Sequence, residues 1–172
     1  MINNTMNHNE TSFTPQKMKQ AYSNMAFQTK PTVLLTITVK EPKLRSRNDN
    51  GRWLVSDAQF LKKANDLMHW VNVELFGRKY KKNNKGLTGF GSIEKQASNQ
   101  PHLHLAIDTK MPPMRFIALK RVFIEKCEKI NLFNSNGIDL SLIGGSEADY
   151  FQVGAYVAKG GDMLFLSGDG IM

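Results

Sequence analysis

The chain has 172 residues, a length typical of one domain with a substantial core. Hydrophobic residues make up 41% of it and charged residues 22%, which excludes wholesale disorder. Lys and Arg number 23 against 15 acidic residues, for a net charge of +8. An anionic partner is therefore expected, with nucleic acid first and an acidic membrane surface second.

Cys127 is the single cysteine, so neither an internal disulfide nor a cysteine-rich zinc site can form. One free thiol fits a reducing compartment, and we expect a cytoplasmic protein. The sequence has no apolar run near the ~20 residues that a membrane span needs. Its first 15 residues lack the apolar segment of a secretory signal.

Residues 1–30 are polar and show no clear period, so they are predicted to form a flexible N-terminal arm. Residues 32–39 are rich in β-branched side chains and predict the first strand. Ser56 and Gln59 form a capping-box pattern, followed by an apolar stripe that predicts a helix ending at Gly77. The folded domain is expected to span residues 31–160, with residues 161–172 as a C-terminal tail.

Later segments predict strands over residues 86–95, 102–108 and 138–143. Pro113 is placed to begin a second helix, and Ser146 to cap a third that stops at Gly160. The order β-α-β-β-α-β-α begins with the split βαβ pattern of ferredoxin-like and RRM-like α+β folds. Such folds have an antiparallel sheet of four or five strands with two helices on one face. The layout serves many functions and does not decide this one.

The segment 101–105 (PHLHL) is the most informative part of the chain. Side chains alternate along a strand, so His102 and His104 project from the same face, about 7 Å apart along the backbone. Two imidazoles on one face can form half of a divalent metal site. The alternative is an ordinary polar strand face, because short motifs occur often by chance.

Glu94 lies near the end of the preceding predicted strand, and the short turn between the two strands favours a hairpin. Its carboxylate can then reach the face of the two histidines and complete a metal site with positions open for water and a phosphate oxygen. Asp108 has the same strand parity as the histidines and is the substitute ligand if Glu94 points away. A solvated charge is the alternative for Glu94.

The predicted last helix carries Tyr156 and Lys159 at a spacing that places them on one helix face. A nearby ammonium favours the phenolate, and tyrosine can act as a covalent nucleophile. Gln152 lies one turn earlier on that face and could orient the metal or a bound DNA. A packed aromatic ring beside a solvated lysine is the alternative.

Together these residues resemble the HUH endonucleases, in particular the replication initiators of rolling-circle replication. Three segments match motifs of the family, in the family's order. The hydrophobic strand with threonines resembles residues 33–38 (VLLTIT), and the histidine metal motif resembles residues 101–105 (PHLHL). The tyrosine nucleophile motif resembles residues 156–159 (YVAK). The tyrosine follows the histidine motif, as in initiators and HUH transposases and unlike conjugative relaxases. Tyr150 and Tyr156 fall on different helix faces, which indicates one nucleophile, Tyr156.

The resemblance implies a metal-dependent nicking and rejoining enzyme that uses Mg or Mn and forms a 5′-phosphotyrosine. Its substrate would be single-stranded or hairpin origin DNA of a plasmid or phage. The sequence has no P-loop motif, so any helicase would be another protein or a lost extension of this one. Basic residues expected to contact DNA phosphates, unless they only solubilise the surface, are Lys40, Lys43, Arg45, Arg47, Arg78, Lys79, Lys81, Lys82 and Lys85.

Two other interpretations stay open. An HUH transposase of insertion-sequence type shares the chemistry and the motif order. A non-enzymatic RRM-like module shares the fold, but it needs exposed aromatic residues on the central strands, where this chain has histidines.

Overall fold

The computed structural model describes residues 14–40 and 54–172. The helices of these residues are α1 (Pro15–Thr29), α2 (Asp57–Phe76), α3 (Phe116–Cys127) and α4 (Glu147–Val157). The strands are β1 (Val33–Val39), β2 (Thr88–Lys95), β3 (Pro101–Asp108), β4 (Phe133–Leu142), β5 (Leu164–Ser167) and β6 (Gly170–Ile171). Short 3₁₀ turns precede α3 at Pro113–Arg115 and follow α4 at Ala158–Gly160.

The strands form one antiparallel sheet in the order β4-β1-β3-β2-β5-β6. The first four positions have the strand order of the split βαβ pattern, so the predicted α+β, ferredoxin-like arrangement is confirmed. The capping box of Ser56 and Gln59 is also present at the start of α2, and Gly77 ends that helix. No helix among the described residues is both long and apolar enough to cross a membrane.

Alternation along the strands separates two apolar layers. On β3, Leu103, Leu105 and Ile107 point into the larger core, where α2 and α3 supply side chains such as Phe60 and Phe123. The same alternation places Val33, Leu35 and Ile37 of β1 in that core. The intervening residues of both strands therefore face the opposite side of the sheet.

Helices α1 and α4 lie on that opposite side. A smaller apolar cluster joins Tyr22 and Ala26 of α1 to Ala106 of β3 and to Val157 at the end of α4. The sheet is thus covered by two helices on one face, as predicted, and is partly covered by two more on the other.

The prediction of a flexible arm over residues 1–30 is wrong for residues 15–29, which form α1; residues 1–13 lie outside the described residues. Thr14 caps this helix and Pro15 occupies its first turn. The helix contains no Leu, Ile or Val and is buried through Tyr22, Ser23 and Ala26. A face built from such small and polar residues gives little hydrophobic periodicity, which is why the sequence did not reveal it.

The prediction of a C-terminal tail over residues 161–172 is also wrong, because β5 and β6 extend the sheet beside β2. Leu166 and Ile171 are buried in the larger core, and the Asn65 side chain of α2 donates to the Ile171 carbonyl at 3.2 Å. The domain therefore continues beyond residue 160. The strands beyond the first four positions of the sheet come from this segment.

Candidate metal centre

The hairpin of β2 and β3 brings the three predicted ligands together. Glu94 is directly opposite His102 in the strand register, and His104 follows two residues later on the same face. One ligand atom from each of the three residues lies within 4.8 Å of the others. Two imidazole nitrogens and a carboxylate oxygen at this separation can hold a divalent metal ion, and they leave coordination positions for other oxygens.

Asp108, the substitute ligand, is not part of this group. It is opposite Thr88 at the far end of β3, and its carboxylate accepts a hydrogen bond from the Lys110 backbone at 2.9 Å. Its role is therefore local: it stabilises the turn that follows the strand.

The imidazoles are held closely. His104 is fully buried, and its Nε2 lies 3.0 Å from the Glu94 Oε1. The centres of the His102 and His104 rings are 4.4 Å apart, and the rings meet edge to face. On their other side, Thr36 Oγ1 of β1 contacts His104 Nδ1 at 3.1 Å, and Thr38 Oγ1 contacts His102 Nδ1 at the same distance. Both imidazoles therefore have hydrogen-bond partners, the half-buried His102 as well as the buried His104.

Burial lowers the pKa of both histidines, because desolvation disfavours the imidazolium. For His102 the neighbouring His104 lowers the pKa further, whereas Glu94 opposes the shift for both rings. Both side chains are consequently neutral near pH 7. Neutral imidazole is the form that ligates a metal.

The structure places Tyr156 against this group. Its ring meets that of His104 edge to face at 4.7 Å, and the Lys159 ammonium lies 4.4 Å from the centre of the tyrosine ring. Burial raises the pKa of Tyr156, and the charges of Glu94 and Asp139 add to the increase. The expectation that Lys159 favours the phenolate is therefore not met in this structure; the lysine contacts the ring face as a cation–π partner.

The end of α4 is fixed to the sheet and to α1. The Ser92 hydroxyl of β2 donates to the Val157 carbonyl, and the Tyr22 hydroxyl of α1 donates to the Gly161 carbonyl at 3.0 Å. At its other end, α4 starts with a capping box formed by Ser146 and Asp149. These bonds position Tyr156 over β3.

The other predicted residues of α4 are arranged differently. Tyr150 is half-buried against the smaller apolar cluster, and Gln152 is exposed one turn before Tyr156. Of the two tyrosines on α4, Tyr156 is the one whose ring packs against His104.

The predicted DNA-contacting residues are divided between the two ends of the sheet. Lys40 is exposed just after β1, near the end that carries His102. The loop over residues 78–85 has exposed basic side chains. It precedes Thr88, which is six residues of strand, or about 20 Å along β2, from Glu94. Arg78, Lys79, Lys81, Lys82 and Lys85 all belong to this loop. Lys43, Arg45 and Arg47 lie outside the described residues.

Sequence reasoning missed two side chains near the site. Asp139 of β4 is opposite Thr36, on the same sheet face as His104, and its charge raises the pKa of Tyr156. Its position follows from the buried residues on either side, Ile138 and Leu140, once β4 is paired with β1. The Gln96 amide, which contacts His102 Nδ1 at 2.9 Å, has no comparable signal because it follows the end of β2.

Comparison with models of known protein families gave no match. No match was found among curated proteins or among solved structures either.

Proposed function

We propose that this protein is a metal-dependent DNA-nicking and strand-joining enzyme of the HUH type that acts at a replication origin. The observation that supports this most directly is the packing of Tyr156 against His104, which itself contacts Glu94. A candidate nucleophile and a candidate metal centre thus meet on one face of the sheet, although 52 residues separate Tyr156 from His104 in the chain.

His102, His104 and Glu94 would hold a divalent ion, Mg²⁺ or Mn²⁺. Such an ion supplies a Lewis acid for a nonbridging oxygen of the scissile phosphate. The donor set fits this assignment, because carboxylate with neutral imidazole binds many divalent ions and fills only three coordination positions.

Tyr156 would attack the phosphorus in line. The tyrosine oxygen–phosphorus bond forms as the bond to the 3′ oxygen breaks, and the departing strand leaves as a free 3′-hydroxyl once it takes up a proton. The 5′-phosphotyrosine keeps the bond energy, so a later 3′-hydroxyl can reverse the step and no ATP is needed. In this step the Tyr156 hydroxyl gives up one proton and the departing 3′ oxygen takes up one, so the number of protons is unchanged overall.

The substrate would be single-stranded or hairpin DNA, since a paired backbone cannot easily approach a tyrosine that is packed against the sheet. The basic residues of the loop over residues 78–85 are exposed, and the loop precedes Thr88, which lies about 20 Å from Glu94 along β2. Its lysines would hold DNA flanking the nick. A separate helicase would unwind the duplex.

A covalent-adduct assay tests this proposal. The full chain is incubated with a labelled library of single-stranded origin sequences and Mn²⁺, and a denaturing gel is examined for a protein–DNA band. Tyr156→Phe removes the nucleophilic oxygen and keeps the ring, so the band should disappear while DNA binding survives. Tyr150→Phe is the matched control and should keep the band.

Two results of this assay would contradict the proposal in different ways. A band that persists in Tyr156→Phe and vanishes in Tyr150→Phe would mean that the wrong tyrosine has been assigned. If no band forms with any substrate although DNA binds, the enzyme proposal fails and a nucleic-acid-binding module is the better account.

A further inference from the structure

Strand β1 contributes two hydroxyl groups to the metal centre in a repeated geometry. Thr36 is directly opposite His104 and Thr38 is directly opposite His102 in the strand register. Each threonine Oγ1 lies 3.1 Å from the Nδ1 of the imidazole that it faces. The contact between a threonine hydroxyl and an imidazole thus occurs twice, at positions two residues apart, because the register of β1 with β3 pairs both threonines with histidines.

We propose that Thr36 and Thr38 are positioning residues, which hold Nδ1 of each imidazole so that Nε2 is presented to the ion; this inference rests on the metal centre of the proposed function. Among the described residues, Thr36 is the partner of His104 Nδ1, and His104 is fully buried. A ring in that position cannot exchange a lost partner for bulk water. Its orientation therefore depends on the threonine.

The hydroxyl group suits both protonation patterns of a neutral imidazole. In this structure His104 Nε2 faces a carboxylate oxygen, which accepts, so Nε2 donates and Nδ1 accepts from the Thr36 hydroxyl. An imidazole that ligates through Nε2 carries its proton on Nδ1 instead, and Nδ1 then donates to the Thr36 oxygen. The proton changes nitrogen and none is lost from the neutral ring overall.

His102 has a second adaptable partner. The Gln96 side-chain amide contacts its Nδ1 at 2.9 Å, in addition to Thr38. An amide can present either its NH₂ group or, after half a turn, its oxygen. Loss of the Thr38 hydroxyl should consequently matter less than loss of the Thr36 hydroxyl.

The test measures Mn²⁺ binding to the full chain without DNA, by the loss of the free-ion signal in electron paramagnetic resonance. Thr36→Val keeps the shape of the side chain and removes the hydroxyl, so Mn²⁺ affinity should fall by about 10-fold to 100-fold. Thr36→Ser restores a hydroxyl and should recover most of the affinity. Thr38→Val should show a smaller loss.

Thr32→Val is the matched control. Thr32 lies just before β1, and its hydroxyl bonds to Thr109 at 2.9 Å rather than to a histidine. This variant should bind Mn²⁺ like the wild type. Circular dichroism confirms that each variant is folded before its affinity is compared.

A nitrogen-15 NMR measurement on the histidine rings supplies a signature that a purely structural role would not change. In the wild type, saturating Mg²⁺ should move the His104 proton from Nε2 to Nδ1. In Thr36→Val this change should need correspondingly more Mg²⁺, because the protonated Nδ1 has no acceptor.

Equal Mn²⁺ affinity in wild type, Thr36→Val and Thr38→Val would overturn the inference, as would an equal loss in Thr32→Val. A wild type that binds no Mn²⁺ would also overturn it. A threonine-dependent affinity in a protein that never forms the covalent adduct would support the positioning role while the nicking proposal fails, so the two failures are distinguishable.

Discussion

Gly154→Ala tests how closely α1 and α4 are packed. A Cβ atom at Gly154 would lie 2.4 Å from Ser23 Cα and 2.5 Å from Ser23 N. Both are backbone atoms of α1, so no side chain can rotate away and the two helices must separate. Overpacking of this kind costs roughly 1–3 kcal/mol, and contact with a backbone favours the upper half of that range.

The same substitution also has a stabilising effect on the helix. Alanine is favoured over glycine inside a helix by about 1 kcal/mol. The net expectation is therefore a loss of about 1–2 kcal/mol in the free energy of unfolding. For a domain of this size, each kcal/mol lowers Tm by about 2–4 °C, so Tm should fall by roughly 2–8 °C.

Thermal unfolding followed by circular dichroism measures the change. Gln152→Ala is the control, because Gln152 is exposed on the same helix and should tolerate alanine with little change in Tm. A rise of about 2–4 °C in Gly154→Ala would show that helix propensity acts unopposed. In that case α1 does not dock on α4 as the structure has it.

Three further predictions concern the site, the anchor of α1 and the thiol. His104→Ala should abolish adduct formation in saturating Mn²⁺ and leave most of the affinity for single-stranded DNA, since that affinity is expected to come mainly from phosphate contacts by Lys and Arg. Equal nicking by variant and wild type would contradict this. Tyr22→Phe removes the hydroxyl that donates to the Gly161 carbonyl at 3.0 Å and lies 3.3 Å from the Gly91 carbonyl, and it should lower the unfolding free energy by about 1–2 kcal/mol in urea titrations. Burial raises the pKa of the Cys127 thiol from 9.0 to about 11. The free energy of unfolding should therefore be unaffected by this thiol below pH 9 and decline as the pH rises from 9 to 11. At pH 8 a thiol reagent should label Cys127 only in denaturant.

Several features of this protein could be read from local sequence because their causes are local. A capping box needs only Ser56 and Gln59 three residues apart, and strand alternation alone places His102 and His104 on one face. The order of elements along the chain then fixed the split βαβ pattern. The sequence also predicted that Tyr156 lies on the last helix, and it does lie on α4.

Other features depend on contacts between distant segments, which no local pattern encodes. The register of β1 with β3 sets Thr36 and Thr38 opposite the histidines, and a slip of one residue would turn those hydroxyls to the other face. The helical state of residues 15–29 depends on a docked surface in which Tyr22 bonds to a carbonyl 139 residues away. Helix α1 has few large apolar residues, and β5 is only four residues long. The hydrophobic periodicity of both segments is too weak to predict their secondary structure, which tertiary packing therefore decides.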